Sequence, residues 1–188
     1  QGDGPALEQA GQQAAQAATS HSVAQGTVGA GTGATTATLR GGLGSASMVT
    51  AAGYTVSALI AVNAIGNATV GEGPHFWSAP FEQGQEFGGL GLPANSAQAA
   101  QNLFIKPDYV AGTTIGVLAT NATLTPLPAT RLAIVGPDGV ARGVSPVPLP
   151  QAGAPIFVVA SDAKPAPTPP AFSKYLQPHT FLNARRYA

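Results

Sequence analysis

The segment Gly112-Thr113-Thr114-Ile115 contains the residue types that one kind of nucleophilic chemistry requires. A hydroxyl becomes a nucleophile when a base accepts its proton, and the α-amine of the same residue can be that base once the chain is cut just before it. The α-amine titrates near neutral pH, which suits this role. Thr113 is therefore a candidate nucleophile, and Gly112-Thr113 is a candidate site of self-cleavage. The alternative is that Thr113 is simply a β-branched residue that opens a strand.

Other catalytic and metal chemistries have little support in the residues. The chain contains no Cys, which excludes disulfide scaffolds, Cys-ligated zinc and thiol catalysis. His21, His75 and His179 are far apart and have no second ligand at helical or turn spacing, so we predict no metal site. No His lies beside a candidate nucleophile, so a Ser-His-Asp arrangement lacks support as well. We therefore predict an activity that needs neither a metal nor a cofactor.

The glycine-rich segment does not fit a nucleotide-binding loop. Gly29, Gly31 and Gly33 have the spacing of a dinucleotide-binding turn, but such a turn needs a preceding strand and an acidic residue about 20 positions further on. The residue at that distance is Gly53, and no Gly-Lys-Ser/Thr sequence follows to make a phosphate-binding loop.

Two Asn-Ala-Thr segments, which begin at Asn67 and Asn121, match the acceptor pattern for N-glycosylation. A three-residue pattern arises often by chance and matters only in a secreted protein.

The charge balance excludes several partners. The 188 residues include 8 basic and 8 acidic side chains and carry no net charge, so a clustered basic surface for nucleic acid is not expected. The longest apolar run, residues 54–65, contains Ser57 and Asn63 and is shorter than the roughly 20 residues of a membrane-spanning helix. The first residues lack a signal-peptide pattern. We expect a soluble protein of the cytoplasm or periplasm that binds neither nucleic acid nor membrane.

The elements that would position Thr113 follow from local composition. The composition of residues 7–18 favours a surface helix. Residues 26–47 form a Gly-rich segment that is suited to close backbone approach. We expect a loop over residues 66–102, with a short helix near 96–103. Strands are predicted at 54–62, 113–121, 134–147 and 155–160, with a turn at Pro137-Asp138-Gly139. We assign residues 1–162 to one domain and residues 163–188 to a Pro-rich tail.

Three of these segments, at residues 26–47, 54–66 and 112–133, resemble the self-processing aminopeptidases of the DmpA and β-peptidyl aminopeptidase (BapA) group, which includes the nylon-oligomer hydrolases. The order and spacing of the segments are similar too. The resemblance implies an α/β fold, a layered αββα sandwich like that of N-terminal-nucleophile hydrolases. It also implies self-cleavage into fragments 1–112 and 113 onward, a Thr113 nucleophile, and assembly into homo-oligomers.

The same resemblance implies roles for two further residues. Asn63 occupies the place of an Asn whose side-chain amide helps to form the oxyanion hole, although a strand-ending Asn in a turn is the alternative. Arg40 occupies a place where many members have Lys. Arg keeps a positive charge near the nucleophile, but its pKa is too high for it to carry a proton.

The chain departs from the family pattern in two ways. Family members have a pair of polar residues, one apart, where this chain has Ala152 and Ala154. They also have a longer N-terminal segment with an active-site Tyr, which has no counterpart here. The sequence therefore favours a self-cleaving amide hydrolase that acts on short peptides, β-peptides or amide oligomers. A catalytically impaired relative that serves as a structural or binding module is the alternative, and an unrelated Gly/Ala/Pro-rich structural protein is the third possibility.

Overall fold

Two of the predicted strands form the middle of a four-stranded sheet. The structure, a computed structural model, describes residues 4–106, 112–147 and 153–166. The strands are β1 (Gly42–Val49), β2 (Thr55–Val62), β3 (Ile115–Ala122) and β4 (Ile156–Lys164). They lie side by side in the order β1-β2-β3-β4. Strand β2 runs antiparallel to both β1 and β3, and β4 runs parallel to β3.

The helices differ in how much of their surface they bury. They are α1 (Gly4–Gln16), α2 (Ser96–Ala99) and α3 (Pro126–Ala141), with 3-10 turns at Gly29–Gly31 and Ala79–Phe81. Helix α1 is the predicted surface helix, and its residues 6–16 are all exposed because Ala and Gln offer little apolar surface. Helix α2 is shorter than predicted. None of the helices in the described ranges has both the length and the apolar character needed to cross a membrane.

Helix α3 corrects the prediction of a strand over residues 134–147. Parallel neighbours such as β3 and β4 need a crossover connection, and α3 supplies it. Its buried residues recur at intervals of three and four positions, as one face of a helix requires: Leu132, Gly136, Gly139 and Val140. Pro137 lies inside this helix, so the predicted turn at Pro137-Asp138-Gly139 is wrong as well.

The two faces of the sheet have different surroundings. Even-numbered side chains of the strands face α3, and with it they form the core: Ala58, Ile60, Val62, Ala64, Leu118, Val140 and Val144. Odd-numbered side chains form the opposite face, which is open within the described residues. Phe157 on that face is 57% exposed and Val159 is 53% exposed. The sheet therefore has one packed apolar face and one uncovered face that is partly apolar.

The structure also extends two predictions. Strand β1 begins inside the Gly-rich segment at Gly42 and ends two residues beyond that segment at Val49, and it pairs with β2 along its whole length. Strand β4 continues to Lys164, beyond the predicted end at 160 and two residues into the predicted tail. The rest of that tail, from residue 167, lies outside the described residues.

Candidate active site

Thr113 lies at the end of the sheet, two residues before β3. The backbone there is already paired with the segment leading into β4, because the Thr114 amide donates to the Gly153 carbonyl oxygen at 3.3 Å. The Thr113 side chain is exposed, whereas Thr114 is only 3% exposed. The predicted nucleophile is therefore accessible from solvent and held by a paired backbone.

Asn63 and Thr113 lie at the same end of the sheet. Strands β2 and β3 are antiparallel, and Ala61 and Ile115 form the last pair of their ladder. Asn63 directly follows β2, and Thr113 lies two residues before β3. The pairing of the two strands therefore brings the Asn63 and Thr113 segments together at this end.

Gly112 is pressed against the turn that contains Asn63. A Cβ at position 112 would lie 2.7 Å from Cγ1 of Ile65, 2.9 Å from its backbone nitrogen and 3.0 Å from the Asn63 carbonyl oxygen. Contacts this short leave no room for a side chain, so the position requires glycine. The Gly112-Thr113 peptide bond is thereby fixed beside the predicted oxyanion residue.

The amide of Asn63 has a defined orientation. Its Oδ1 accepts a hydrogen bond from the Thr35 backbone nitrogen at 3.1 Å and another from Lys106 Nζ at 2.9 Å. Two donors on the oxygen direct the Nδ2 group to the opposite side of the amide. Asn63 therefore has the fixed geometry that a hydrogen-bond donor in an oxyanion hole needs.

Arg40 is brought near Asn63 through the backbone. It forms an isolated bridge with Thr35, the residue that donates to Asn63. The next residue, Gly41, packs so closely on the Val62 carbonyl oxygen that a Cβ would overlap it. The Arg40 side chain itself is exposed and makes no hydrogen bond or ion pair within the described ranges. The backbone at Arg40 therefore lies close to Asn63, while the Arg40 guanidinium faces solvent.

Lys106 is the site residue that the sequence patterns did not indicate. Its backbone nitrogen donates to the Ile65 carbonyl oxygen at 3.0 Å, and its side chain reaches back to Asn63. Burial lowers the pKa of the Lys106 ammonium below the usual lysine value. The available signal was a lone charge in an otherwise apolar run, Leu103-Phe104-Ile105-Lys106, just before the predicted nucleophile.

The match to known proteins extends over nearly the whole chain. A family profile described as peptidase family S58 matches residues 3–186. The chain belongs to peptidase family S58. The resemblance of its sequence to the DmpA and β-peptidyl aminopeptidase group is thereby confirmed.

Several S58 relatives are longer than this chain. An uncharacterized aminopeptidase of Mycobacterium leprae is 37% identical over 141 residues, which cover 75% of this chain and 38% of that protein. One of Mycobacterium tuberculosis is 37% identical over 166 residues, covering 85% and 47%. A solved β-aminopeptidase from Burkholderia sp. matches with a TM-score of 0.56 at 24% identity, covering 94% of this chain and 49% of that one. The chain spans less than half the length of each of these proteins.

The structural match confirms the predicted fold class. The mixed α/β architecture is similar to that of the β-aminopeptidase, whose chain is about twice as long. Within the described residues the S58 chain forms one sheet and the helical layer on one of its faces. Its other face is uncovered within the same residues, and Thr113 and Asn63 lie at one end of the sheet.

The structure describes one of the two positions at which the family pattern has polar residues, and this chain has Ala154 there. Gly116 pairs with Ile156, so Ala154 lies beside Thr114 at the start of β4. The Thr114 hydroxyl is buried and has no hydrogen-bond partner among the residues that the structure describes. A methyl group at position 154 thus stands next to an unsatisfied hydroxyl. Ala152, the other member of the pair, lies outside the described residues.

A buried polar network holds the loop after β2. Asn67 is 1% exposed, its Oδ1 accepts from the hydroxyls of Thr36 at 3.2 Å and Thr38 at 2.9 Å, and its Nδ2 donates to Thr69 at 2.8 Å. These bonds tie the Gly-rich segment to the loop after β2. Because Asn67 is buried, its glycosylation pattern is not accessible in the folded chain.

The remaining predicted motifs do not form a site. Asn121 lies within β3, where its Oδ1 accepts from the Thr55 amide at 2.9 Å. His21 is exposed, and His75 is half-buried with its Nδ1 3.0 Å from the Gly91 carbonyl oxygen. His179 lies outside the described residues. In the ranges that the structure covers, no group of three His, Asp or Glu side chains is arranged to hold a metal ion.

Proposed function

We propose that this S58 chain is part of a self-cleaving N-terminal-nucleophile amide hydrolase. It would remove N-terminal residues from short peptides, β-peptides or amide oligomers, with Thr113 as the nucleophile. The observation that carries the proposal is that Gly112, directly before Thr113, packs against the turn that contains Asn63, whose amide oxygen is held by two hydrogen bonds.

Self-cleavage frees the catalytic groups. The Thr113 Oγ1 attacks the carbonyl carbon of Gly112, its proton passes to the Thr113 nitrogen, and the C–N bond breaks to leave an ester. Water then hydrolyses the ester, which leaves a carboxylate on Gly112 and a free α-amine and hydroxyl on Thr113. The close packing of Gly112 on Ile65 holds the scissile carbonyl in place for this attack.

Turnover uses the new amine as the base. The α-amine accepts the proton of Oγ1, which attacks the substrate carbonyl. The Asn63 amide donates to the negative oxygen of the tetrahedral intermediate, and a donor of this kind lowers the barrier by about 3 kcal/mol. The amine product leaves with a proton from the α-ammonium, and water hydrolyses the acyl-enzyme. Arg40 adds positive charge near the site without exchanging a proton.

The proposed hydrolase has two kinds of partner, a substrate and other copies of the same chain. The substrate is a small peptide or amide, and the subunits assemble as a homo-oligomer. The open face of the sheet, with Phe157 and Val159 exposed, is compatible with further protein packing against it.

One observation favours a second candidate function. The start of β4 has Ala154 where the family has a polar residue, and the neighbouring Thr114 hydroxyl is left without a partner. Such a chain could keep the fold and lose the groups that tune the α-amine, and so act as a structural or binding module.

Intact mass measurement of the denatured, purified protein separates the two candidates. The hydrolase gives two polypeptides with a break between Gly112 and Thr113, and it releases an amine from an aminoacyl amide. Thr113→Ala removes the hydroxyl and leaves one uncleaved chain. Thr114→Val is the matched control, because it changes the adjacent Thr without touching the nucleophile. An intact wild-type chain together with no amine release would support the binding module instead.

A further inference from the structure

Lys106 is attached to the turn after β2 at two points. Its backbone nitrogen bonds the Ile65 carbonyl oxygen at 3.0 Å, and its ammonium bonds Asn63 Oδ1 at 2.9 Å. Lysine side chains ordinarily keep their charge in water. This one is half-buried and folded back onto a neutral amide.

Partial burial of the Lys106 ammonium carries a desolvation cost, which lowers its pKa. Moving an ammonium out of water is unfavourable unless a carboxylate or several acceptors compensate. Within the described ranges Lys106 forms no ion pair, and its side chain is bonded to the single amide oxygen of Asn63. A local arrangement that costs stability is expected at functional sites.

We infer that Lys106 is a positioning residue that orients and polarises the Asn63 amide toward the oxyanion at Thr113. The ammonium and the Thr35 backbone nitrogen both donate to Oδ1, which fixes the orientation of the amide. A positive donor on the oxygen also withdraws electron density from the amide and strengthens its N–H as a donor, as hydrogen bonds in a chain reinforce one another. This inference rests on the proposed function.

The geometry distinguishes Lys106 from the other cation near the site. Arg40 is exposed and reaches the site through the backbone of Thr35. Lys106 contacts the side chain of Asn63 directly. The charge that acts on the oxyanion donor is therefore that of Lys106.

The test is a double-mutant cycle in the full-length protein, with kcat and KM measured on an aminoacyl amide. Asn63→Ala is expected to lower kcat by about 10²–10³-fold. Lys106→Met lowers kcat by part of that factor with little change in KM, and Lys106→Arg, which keeps a charged donor, recovers most of the loss. Adding Lys106→Met to Asn63→Ala lowers kcat by no more than about twofold further, because Lys106 acts through Asn63.

The controls keep the result interpretable. Lys164→Met removes a lysine that bonds the Gly53 carbonyl oxygen at the far end of the sheet, and it should leave kcat unchanged. Where slow self-cleavage limits the amount of active enzyme, the rate of self-cleavage, followed by intact mass, replaces kcat in the same cycle. Full activity of Lys106→Met, or independent losses that multiply in the double variant, would overturn the inference. A wild-type chain that never cleaves would overturn the proposed function instead.

Discussion

Thr113 and Asn63 lie at the same end of two antiparallel strands, just beyond the Ala61–Ile115 pair, and Gly112 before Thr113 packs against the Asn63 carbonyl oxygen. The paired strands hold both segments, so their approach is set by the sheet rather than by a long loop. Thr113 is exposed, so a substrate can reach its side chain without displacing the core. The proposed chemistry depends on this relationship.

Substitution at Gly112 should disturb the site more than its small size suggests. In Gly112→Ala the new Cβ would meet backbone and side-chain atoms of Ile65 at under 3 Å, so the junction has to move. We expect a loss of about 1–3 kcal/mol in the free energy of unfolding and slower self-cleavage. Thermal melting and intact mass over time measure the two effects.

Gly11→Ala is the matched control for that experiment. Gly11 lies in α1, where a Cβ would meet nothing within 4 Å, so alanine should leave stability unchanged or raise it slightly. Equal melting temperatures and cleavage rates for Gly112→Ala and the wild type would contradict the tight packing of the junction.

A polar side chain at position 154 should stabilise the fold. Ala154→Ser places a hydroxyl beside the unpartnered Thr114 Oγ1, and a new hydrogen bond there contributes about 0.5–1.5 kcal/mol. Denaturant unfolding of the single variant measures the gain. In a Thr114→Val background the serine has no hydroxyl to bond, so the gain should disappear. A gain of the same size in both backgrounds would contradict the pairing.

The half-buried charge of Lys106 should make the free energy of unfolding depend on pH in the alkaline range. Its folded-state pKa is lowered, so between that value and the unfolded value of 10.5 the unfolded chain binds more protons. The stability of the wild type therefore rises with pH through this window. The other charged groups in this part of the molecule are the exposed Arg40 guanidinium and, after cleavage, the Thr113 α-amine.

Lys106→Met should remove this pH dependence of stability. It removes the desolvated charge, so its melting temperature at neutral pH should equal or exceed that of the wild type. The difference should shrink as the pH rises through the window. A variant that melts well below the wild type at neutral pH, with a gap that does not change with pH, would show that Lys106 mainly stabilises the fold.

Local sequence indicated much of the frame of the site. The aliphatic runs of β2 and β3 predicted both central strands, and the Gly before Thr113 marked the junction. Helix α3 was missed because its β-branched residues and Pro137-Asp138-Gly139 favour a strand and a turn locally, and the crossover between parallel strands overrides that preference. Strand β1 was missed because its glycines weaken strand propensity.

The contact between Lys106 and Asn63 could not be read from the sequence. The two residues are 43 positions apart, and their contact depends on how the loop after α2 returns to the turn after β2. The unpartnered Thr114 hydroxyl likewise depends on the parallel register of β3 and β4. Both features depend on contacts between residues that are far apart in the sequence, and local composition does not predict such contacts.

Self-cleavage would make Thr113 an amino-terminal residue, so N-terminal sequencing of every polypeptide in a purified sample decides whether it occurs. We expect a second polypeptide that begins Thr-Thr-Ile-Gly-Val, present in the wild type and in Thr114→Val and absent in Thr113→Ala. A wild-type sample that yields a single amino terminus after prolonged incubation would contradict it.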